Sequence, residues 1–96
     1  MYGTVARWQV KEGKEKELEQ LSQELMREMP PGGRTVVVYR ADKNPREYWV
    51  ASTWESKEAY TSNSNTPEQD ARFRKLRDLM DADPEWHDGE VVIQQG

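Results

Sequence analysis

The chain of 96 residues is 34% hydrophobic and 33% charged, carries a formal net charge of -4 and contains no cysteine. This length suits a single domain over residues 1–96, and the acidic balance disfavours nucleic-acid binding, which needs basic side chains against phosphates. The absence of cysteine excludes disulfides and thiolate chemistry, and the absence of a long apolar segment or signal peptide predicts a cytoplasmic protein without membrane contact.

The first half of the chain switches between strand and helix patterns. Residues 2–10 alternate in polarity, which predicts a strand whose inner face carries Tyr2, Thr4, Ala6, Trp8 and Val10. After Gly13 the apolar residues recur at helical spacing, which predicts an amphipathic helix of about four turns. Its apolar stripe is Leu18, Leu21, Leu25 and Met29, and residues 30–33 end it with two prolines and two glycines. Residues 34–41 then predict a second strand, and the turn residues 42–45 predict a hairpin with the strand that follows.

The second half of the chain repeats this order. Residues 48–54 read as a strand rich in aromatic and β-branched side chains, and Ser56 caps a helix that begins at Lys57. Helical character weakens over residues 61–65 and restarts at a capping box formed by Thr66 and Gln69. This second piece carries Phe73, Leu76 and Met80 on one stripe and ends at residues 83–84. Residues 88–89 then form a turn, and residues 90–95 form a last strand centred on three β-branched residues.

The order strand, helix, strand, strand, helix, strand predicts an α+β domain of the ferredoxin-like βαββαβ type. Such a chain closes most simply as a four-stranded antiparallel sheet with both helices on one face and strands one and three in the centre. The second face of the sheet would then carry Val5, Trp49, Ala51 and part of the valine run at residues 36–38. An apolar second face in a small acidic protein favours a homodimer in which two sheets face each other.

The corner between the third strand and the second helix is the most specific motif of the sequence. It reads Trp54-Glu55-Ser56-Lys57-Glu58-Ala59-Tyr60, and with the opening residues 5–14 and the closing residues 84–92 it resembles the antibiotic biosynthesis monooxygenase domain. That family belongs to the dimeric α+β barrel superfamily, and the resemblance covers the whole chain. It implies a dimer with facing sheets and, in each subunit, a pocket between the sheet and the helices.

The resemblance also implies candidate site residues. In cofactor-free oxygenases that hydroxylate polycyclic phenols or quinone precursors, a Trp and a Tyr of this corner line the pocket, and they match Trp54 and Tyr60. Val50 stands where these oxygenases have an Asn, and Phe73, beside Arg72, stands where they have an Arg. The expected substrate-binding residues are therefore Val50, Trp54, Tyr60, Arg72 and Phe73. Ala6, Asn63 and Phe73 replace the Asn, Trp and His of the haem-degrading relatives, so haem degradation is not predicted.

Cofactor-free oxygenation needs an electron-rich substrate, donors that stabilise developing charge and a pocket that excludes water. Trp54 as an aromatic wall with an indole donor and Tyr60 as a hydroxyl donor fit these roles, with no bound metal or flavin. His87 is the only histidine and the candidate general base, because its unperturbed pKa lies near neutrality. The predicted function is monooxygenation of a small aromatic, polyphenolic or quinone-type molecule.

Three alternatives stay open at the level of sequence. Trp54 and Tyr60 could serve packing alone, since buried Trp and Tyr usually find a partner for their polar atom in any protein. His87 could be a solvated residue among carboxylates. The whole chain could also be a binding or accessory module that has the same pocket and no turnover. An RNA-recognition module shares the βαββαβ order, but residues 47–54 lack its basic, glycine-containing signature.

Overall fold

The computed structural model describes residues 1–95 and contains four strands and three helices over that part of the chain. The elements are β1 (Tyr2–Gln9), α1 (Glu15–Leu25), β2 (Gly33–Arg40), β3 (Glu47–Trp54), α2 (Lys57–Ser64), α3 (Pro67–Arg77) and β4 (Glu85–Glu90). The strands form one sheet in the order β2-β3-β1-β4, and every neighbouring pair is antiparallel. The predicted ferredoxin-like α+β fold, with the first and third strands in the centre, is confirmed.

The register of the sheet decides which side chains meet. Ala6 lies opposite Val50 on β3 and opposite Trp86 on β4, and Thr4 lies opposite Asp88. Because side chains alternate between the two faces of a sheet, all four strands contribute to one inner face toward the helices. The predicted inner face of β1 is confirmed, since Thr4, Ala6 and Trp8 are buried.

The hydrophobic core lies between this inner face and the helices. Its members are at most 9% exposed and come from all parts of the chain: Ala6, Trp8, Val10, Leu18, Tyr48, Val50, Leu76, Leu79 and Met80. Burial of one large apolar side chain contributes about 1.5–3 kcal/mol, so this cluster is the main source of stability of the domain. The two strands in the middle of the sheet supply four of these residues.

Helix α1 is shorter than predicted. It ends at Leu25, and Met29 lies beyond it with 41% of its surface exposed. Pro30 and Pro31 have no N–H to donate to the carbonyls that a fourth turn would present, so the last predicted turn does not form. The chain then turns at Gly32, whose φ is +83° and whose missing Cβ would lie 2.5 Å from the Cβ of Ala59. Only glycine allows this close contact between the loop and α2.

The two-piece second helix is confirmed, and so are its caps. Ser56 Oγ accepts a hydrogen bond from the backbone N–H of Ala59 at 3.1 Å, and Thr66 Oγ1 accepts one from Gln69 at 3.1 Å. Helix α3 ends at Arg77, earlier than the predicted residues 83–84. The reason is tertiary: the carbonyl of Leu79 accepts from the N–H of Lys11 at 2.8 Å, which ties this segment to the end of β1.

The last strand lies five residues earlier than predicted. Residues 88–89, predicted as a turn, are part of β4 and pair with Thr4 and Gly3. Glu90 pairs with Tyr2, the first residue of β1, and beyond the hydrogen bond from Val91 N–H to the Met1 carbonyl the chain leaves the sheet. Val92 and Ile93 are each 87% exposed. Their β-branched side chains suggested a strand, but no strand of residues 1–95 lies opposite them.

The outer face of the sheet is uncovered in this chain. Val37 and Tyr39 on β2 are 55% and 53% exposed, and Val5 on β1 is 40% exposed. The same face carries an ion pair between Arg7 Nε and Glu47 Oε1 at 2.9 Å. Within residues 1–95, no helix is both long enough and apolar enough to cross a membrane.

Candidate functional site

A cavity of about 560 Å³ lies between the inner face of the sheet, helices α2 and α3 and the end of α1. The five residues predicted to bind substrate all line this cavity: Val50, Trp54, Tyr60, Arg72 and Phe73. They come from β3, α2 and α3, so the corner motif and the second helix converge as the sequence predicts. The volume lies within the range of small-molecule pockets, and five of the lining residues are aromatic.

Trp54 and Tyr60 form the first aromatic wall. Trp54 is the last residue of β3 and is 7% exposed, and Tyr60 lies on the first turn of α2 after the Ser56 cap. Their ring centroids are 5.6 Å apart at an interplanar angle of 72°, which is the edge-to-face arrangement that aromatic pairs prefer. Tyr2 packs against Tyr60 without lining the cavity itself, and the two ring centroids are 5.4 Å apart.

Phe73 and Trp86 form a second aromatic pair in the cavity. Their ring centroids are 6.1 Å apart, and Trp86 is 47% exposed. Sequence reasoning missed Trp86 as a site residue because it placed the last strand at residues 90–95. Had the strand been placed at residues 85–90, alternation alone would have put Trp86 and Asp88 on one face.

A polar cluster of Thr4, Tyr60 and Asp88 lies at the edge of the cavity next to β4. Thr4 Oγ1 donates to Asp88 Oδ1 at 2.6 Å, and Tyr60 Oη donates to the same oxygen at 3.2 Å. Burial raises the pKa of Tyr60, and the nearby carboxylate of Asp88 acts in the same direction although the Thr4 hydroxyl opposes it. Tyr60 therefore keeps its proton at neutral pH. Asp88 was predicted as part of a turn, and its place in this cluster was missed.

The two groups that were predicted to donate hydrogen bonds to a substrate are the indole of Trp54 and the hydroxyl of Tyr60. Both donate to other groups of the protein instead. The indole N–H of Trp54 donates to Ser52 Oγ at 3.1 Å, and the proton of Tyr60 is directed at Asp88. The hydroxyl oxygens of Tyr60 and Thr4 keep lone pairs, so this part of the cavity presents hydrogen-bond acceptors. This arrangement differs from the donor roles that the sequence suggested for Trp54 and Tyr60.

His87 is not brought to the cavity. It lies on β4 opposite Val5, within a strand that the sequence placed only at residues 90–95, and its side chain is exposed on the outer face of the sheet. A general base must come within hydrogen-bond reach of its substrate, and the sheet separates His87 from Trp54 and Tyr60. Among the described residues 1–95, no group of three or more His, Asp or Glu side chains is arranged to hold a metal ion.

A second cavity of about 510 Å³ lies between α1 and the edge strand β2. The Tyr48 hydroxyl donates to Glu19, and the same carboxylate oxygen accepts from Arg40 at 3.0 Å. Burial, together with the hydrogen bond to Glu19, raises the pKa of Tyr48 to about 12. Tyr48 is the one aromatic residue that lines this second cavity, whereas five aromatic residues and all the predicted substrate-binding residues line the cavity of Trp54, so we place the candidate site there.

Comparison with known proteins points to one family. A family model described as antibiotic biosynthesis monooxygenase matches residues 1–75. A candidate antibiotic biosynthesis monooxygenase from Chloroflexus aurantiacus is 26% identical with a TM-score of 0.83, and the match covers 99% of this chain and 96% of that chain. A variant of SnoaB, a cofactor-independent oxygenase from Streptomyces nogalater, is 18% identical with a TM-score of 0.84 over 97% of this chain and 94% of that one.

A conserved protein from Methanosarcina mazei Go1 is 22% identical, with a TM-score of 0.82 over 92% of this chain and 89% of that chain. At identities of 18% and 22%, the SnoaB variant and the Methanosarcina mazei protein show the fold alone. No curated protein matches the sequence significantly. The fold is thus supported along nearly the whole chain, and the family by the match over residues 1–75.

Proposed function

Because this chain belongs to the antibiotic biosynthesis monooxygenase family, we propose that it is a monooxygenase that oxidises a small phenolic or quinone-type molecule without a bound metal or flavin. The observation that carries the proposal is the cavity between sheet and helices, lined by Trp54, Tyr60, Phe73 and Trp86. Aromatic walls suit a flat substrate. A few polar groups at one edge suit its hydroxyl substituents.

The proposed reaction needs no external reductant. A phenol and dioxygen together give a quinone and water, so one oxygen atom enters the ring and the other leaves as water with the four electrons that the substrate supplies. The protein's part is to hold the substrate out of bulk water and orient it, since a water-poor cavity strengthens electrostatic interactions with developing charge. Trp54 and Phe73 would hold the ring, and Tyr60 would contact a substituent.

Oxygen consumption tests this function directly. Purified protein is mixed with a panel of phenols and hydroquinones in an oxygen-electrode cell, and each rate is compared with that of the compound in buffer alone. We expect uptake above the buffer rate for at least one compound that binds. Binding without any additional uptake would contradict the oxygenase and favour a non-catalytic role.

The site itself is tested by Trp54→Phe combined with Tyr60→Phe. Both changes keep an aromatic ring, so the fold should persist while ligand affinity falls. Trp49→Phe is the matched control, because Trp49 lies on the same strand but on the outer face. Unchanged ligand affinity in the double variant would move the ligand site elsewhere.

We also propose a homodimer formed through the outer face of the sheet. This proposal is supported by the exposed apolar side chains of Val5, Val37 and Tyr39 and by the projecting residues Val92 and Ile93, which a second copy could cover together. Exposed apolar area of this kind in a small acidic chain favours self-association over a solvated surface.

Light scattering after size-exclusion chromatography tests the dimer. We expect a mass of twice 11.3 kDa for the native chain and a shift toward 11.3 kDa for Val37→Lys, which places a charge on the apolar outer face within the proposed interface. A control substitution, Lys16→Glu, lies on the exposed side of α1 and should leave the mass unchanged. A native mass of 11.3 kDa at every concentration would overturn the proposal.

A second candidate function is a binding or accessory module with the same cavity and no turnover. Val50 favours it, because this residue is 6% exposed and offers no polar atom at the position where the oxygenases that the chain resembles have an amide. The oxygen-uptake experiment above separates the two candidates.

A further inference from the structure

At one edge of the cavity, Thr4 and Tyr60 both donate hydrogen bonds to Asp88. The inference drawn from this arrangement rests on the proposed function and specifies the chemical class of the ligand. We propose that Asp88 makes the cavity selective for a neutral aromatic ligand that donates a hydrogen bond, such as a phenol, and against aryl carboxylates. Asp88 would act as a specificity-determining residue, both directly and by orienting the hydroxyl of Tyr60.

The first step concerns Tyr60. Its hydroxyl has one proton, and that proton is donated to Asp88 Oδ1 at 3.2 Å. A hydroxyl that is committed as a donor presents only lone pairs to a further partner. A ligand atom that approaches Tyr60 from the cavity is therefore bonded well only if it carries a proton of its own.

The second step concerns the charge of Asp88. Its Oδ1 accepts from two neutral hydroxyls, those of Thr4 and Tyr60, and Asp88 forms no ion pair with any lysine, arginine or histidine in residues 1–95. In contrast to a carboxylate that is paired with arginine, its charge has no cation of residues 1–95 beside it to offset it. Asp88 is itself exposed, and a ligand carboxylate placed beside it would meet like charge, which is unfavourable.

The third step concerns the other charged residues of the lining. Glu28, Asp70, Arg72 and Asp88 line the cavity, so carboxylates outnumber the single guanidinium. Arg74, on the exposed side of α3, pairs with Asp70 at 2.9 Å and offsets that charge, but no ion pair of the described residues offsets Asp88. The hydrogen-bond direction and the charge balance thus favour the same ligand class independently.

Three probes of matched size separate these effects: 2-naphthol donates a hydrogen bond, 2-methoxynaphthalene does not, and 2-naphthoate carries a negative charge. Their dissociation constants for the full chain are measured at pH 7 by isothermal titration calorimetry. For the native chain we expect 2-naphthol to bind about tenfold more tightly than 2-methoxynaphthalene, as a hydrogen bond to a charged cluster implies. We expect 2-naphthoate to bind at least about tenfold more weakly than 2-naphthol.

The variant Asp88→Asn keeps the shape of the side chain and removes its charge. In this variant we expect the preference for 2-naphthol over 2-naphthoate to fall by about tenfold or more, while 2-methoxynaphthalene binds as before. Glu90→Gln is the control, since Glu90 is an exposed carboxylate on the same strand that does not line the cavity. It should leave all three constants unchanged.

Two results would overturn the inference in different ways. If 2-naphthoate binds the native chain as tightly as 2-naphthol does, or if Asp88→Asn leaves their ratio unchanged, the selectivity is wrong while the aromatic cavity stands. If none of the three probes binds the native chain, the cavity does not take aromatic ligands, and the proposed function fails together with the inference. The first of these results needs no variant, so the test holds even if Asp88→Asn fails to fold.

Discussion

The two faces of one sheet carry polar clusters that share strand β1 but differ in charge balance. On the outer face Arg7 pairs with Glu47 at 2.9 Å, and the indole N–H of Trp49 donates to the same carboxylate at 3.0 Å. On the inner face Asp88 accepts only from the hydroxyls of Thr4 and Tyr60.

This difference indicates what each cluster can do. The outer carboxylate has a cation beside it, so its charge is already balanced and it serves the structure. The inner carboxylate has neutral partners and lies at a cavity, so its charge remains available to a ligand. A charge that the chain leaves unbalanced at a cavity is a reason to look for function there.

The largest expected effect is a loss of unfolding free energy that differs between the two faces, because the inner face is more deeply buried than the outer face. Trp8 on the inner face is 2% exposed, whereas Trp49 on the outer face is half-buried. Trp8→Ala should lower the free energy of unfolding by about 3–5 kcal/mol, and Trp49→Ala by about 1 kcal/mol, when both are measured by urea unfolding at the same low protein concentration. Equal losses would mean that the outer face is as closely packed as the core.

A smaller effect concerns Tyr48, whose pKa burial raises to about 12. Because the folded state favours the neutral phenol, its contribution to stability is complete below pH 10 and is lost as the pH rises toward 12. The loss is at most about 3 kcal/mol, at about 1.4 kcal/mol for each pKa unit. Between pH 10 and pH 12, the free energy of unfolding of the native protein should therefore fall by more than that of the Tyr48→Phe variant. Urea unfolding at each pH measures both values.

The control for Tyr48 is Tyr39→Phe, which removes an exposed hydroxyl from the neighbouring strand and leaves the buried one in place. Its stability should fall with alkaline pH as that of the native chain does. If Tyr48→Phe also followed the native curve, the Tyr48 hydroxyl would not be the group that titrates.

The smallest effect belongs to the outer cluster. Hydrogen bonds from Trp49 and Arg7 lower the pKa of Glu47 below its ordinary value of 4.5. A lowered folded-state pKa means stability that is present above pH 4.5 and is lost as the pH falls below it. The melting temperature of Glu47→Gln should therefore depend less on pH between 5 and 3 than that of native protein, and an identical dependence would contradict the pairing.

The corner of residues 54–60 shows how much of the site was readable from sequence. The aromatic residues, the Ser56 cap and the change of period from two to 3.6 are local signals, and they placed Trp54 and Tyr60 at one cavity together with residues of α3. The same reasoning failed for His87, since its position depends on the register of β4 and not on any signal in its own neighbourhood.

Sequence alone determined the order of the elements, the inner face of β1 and β3 and the two helix caps, because each follows from residues close together in the chain. Only the tertiary structure decided where β4 pairs with β1. That pairing joins residues 78 to 88 positions apart, and a shift of one residue would move every side chain to the other face. The register of β4 placed Asp88 and Trp86 in the cavity and His87 outside it. The proposed selectivity depends on the charge of Asp88, and so it depends on this register.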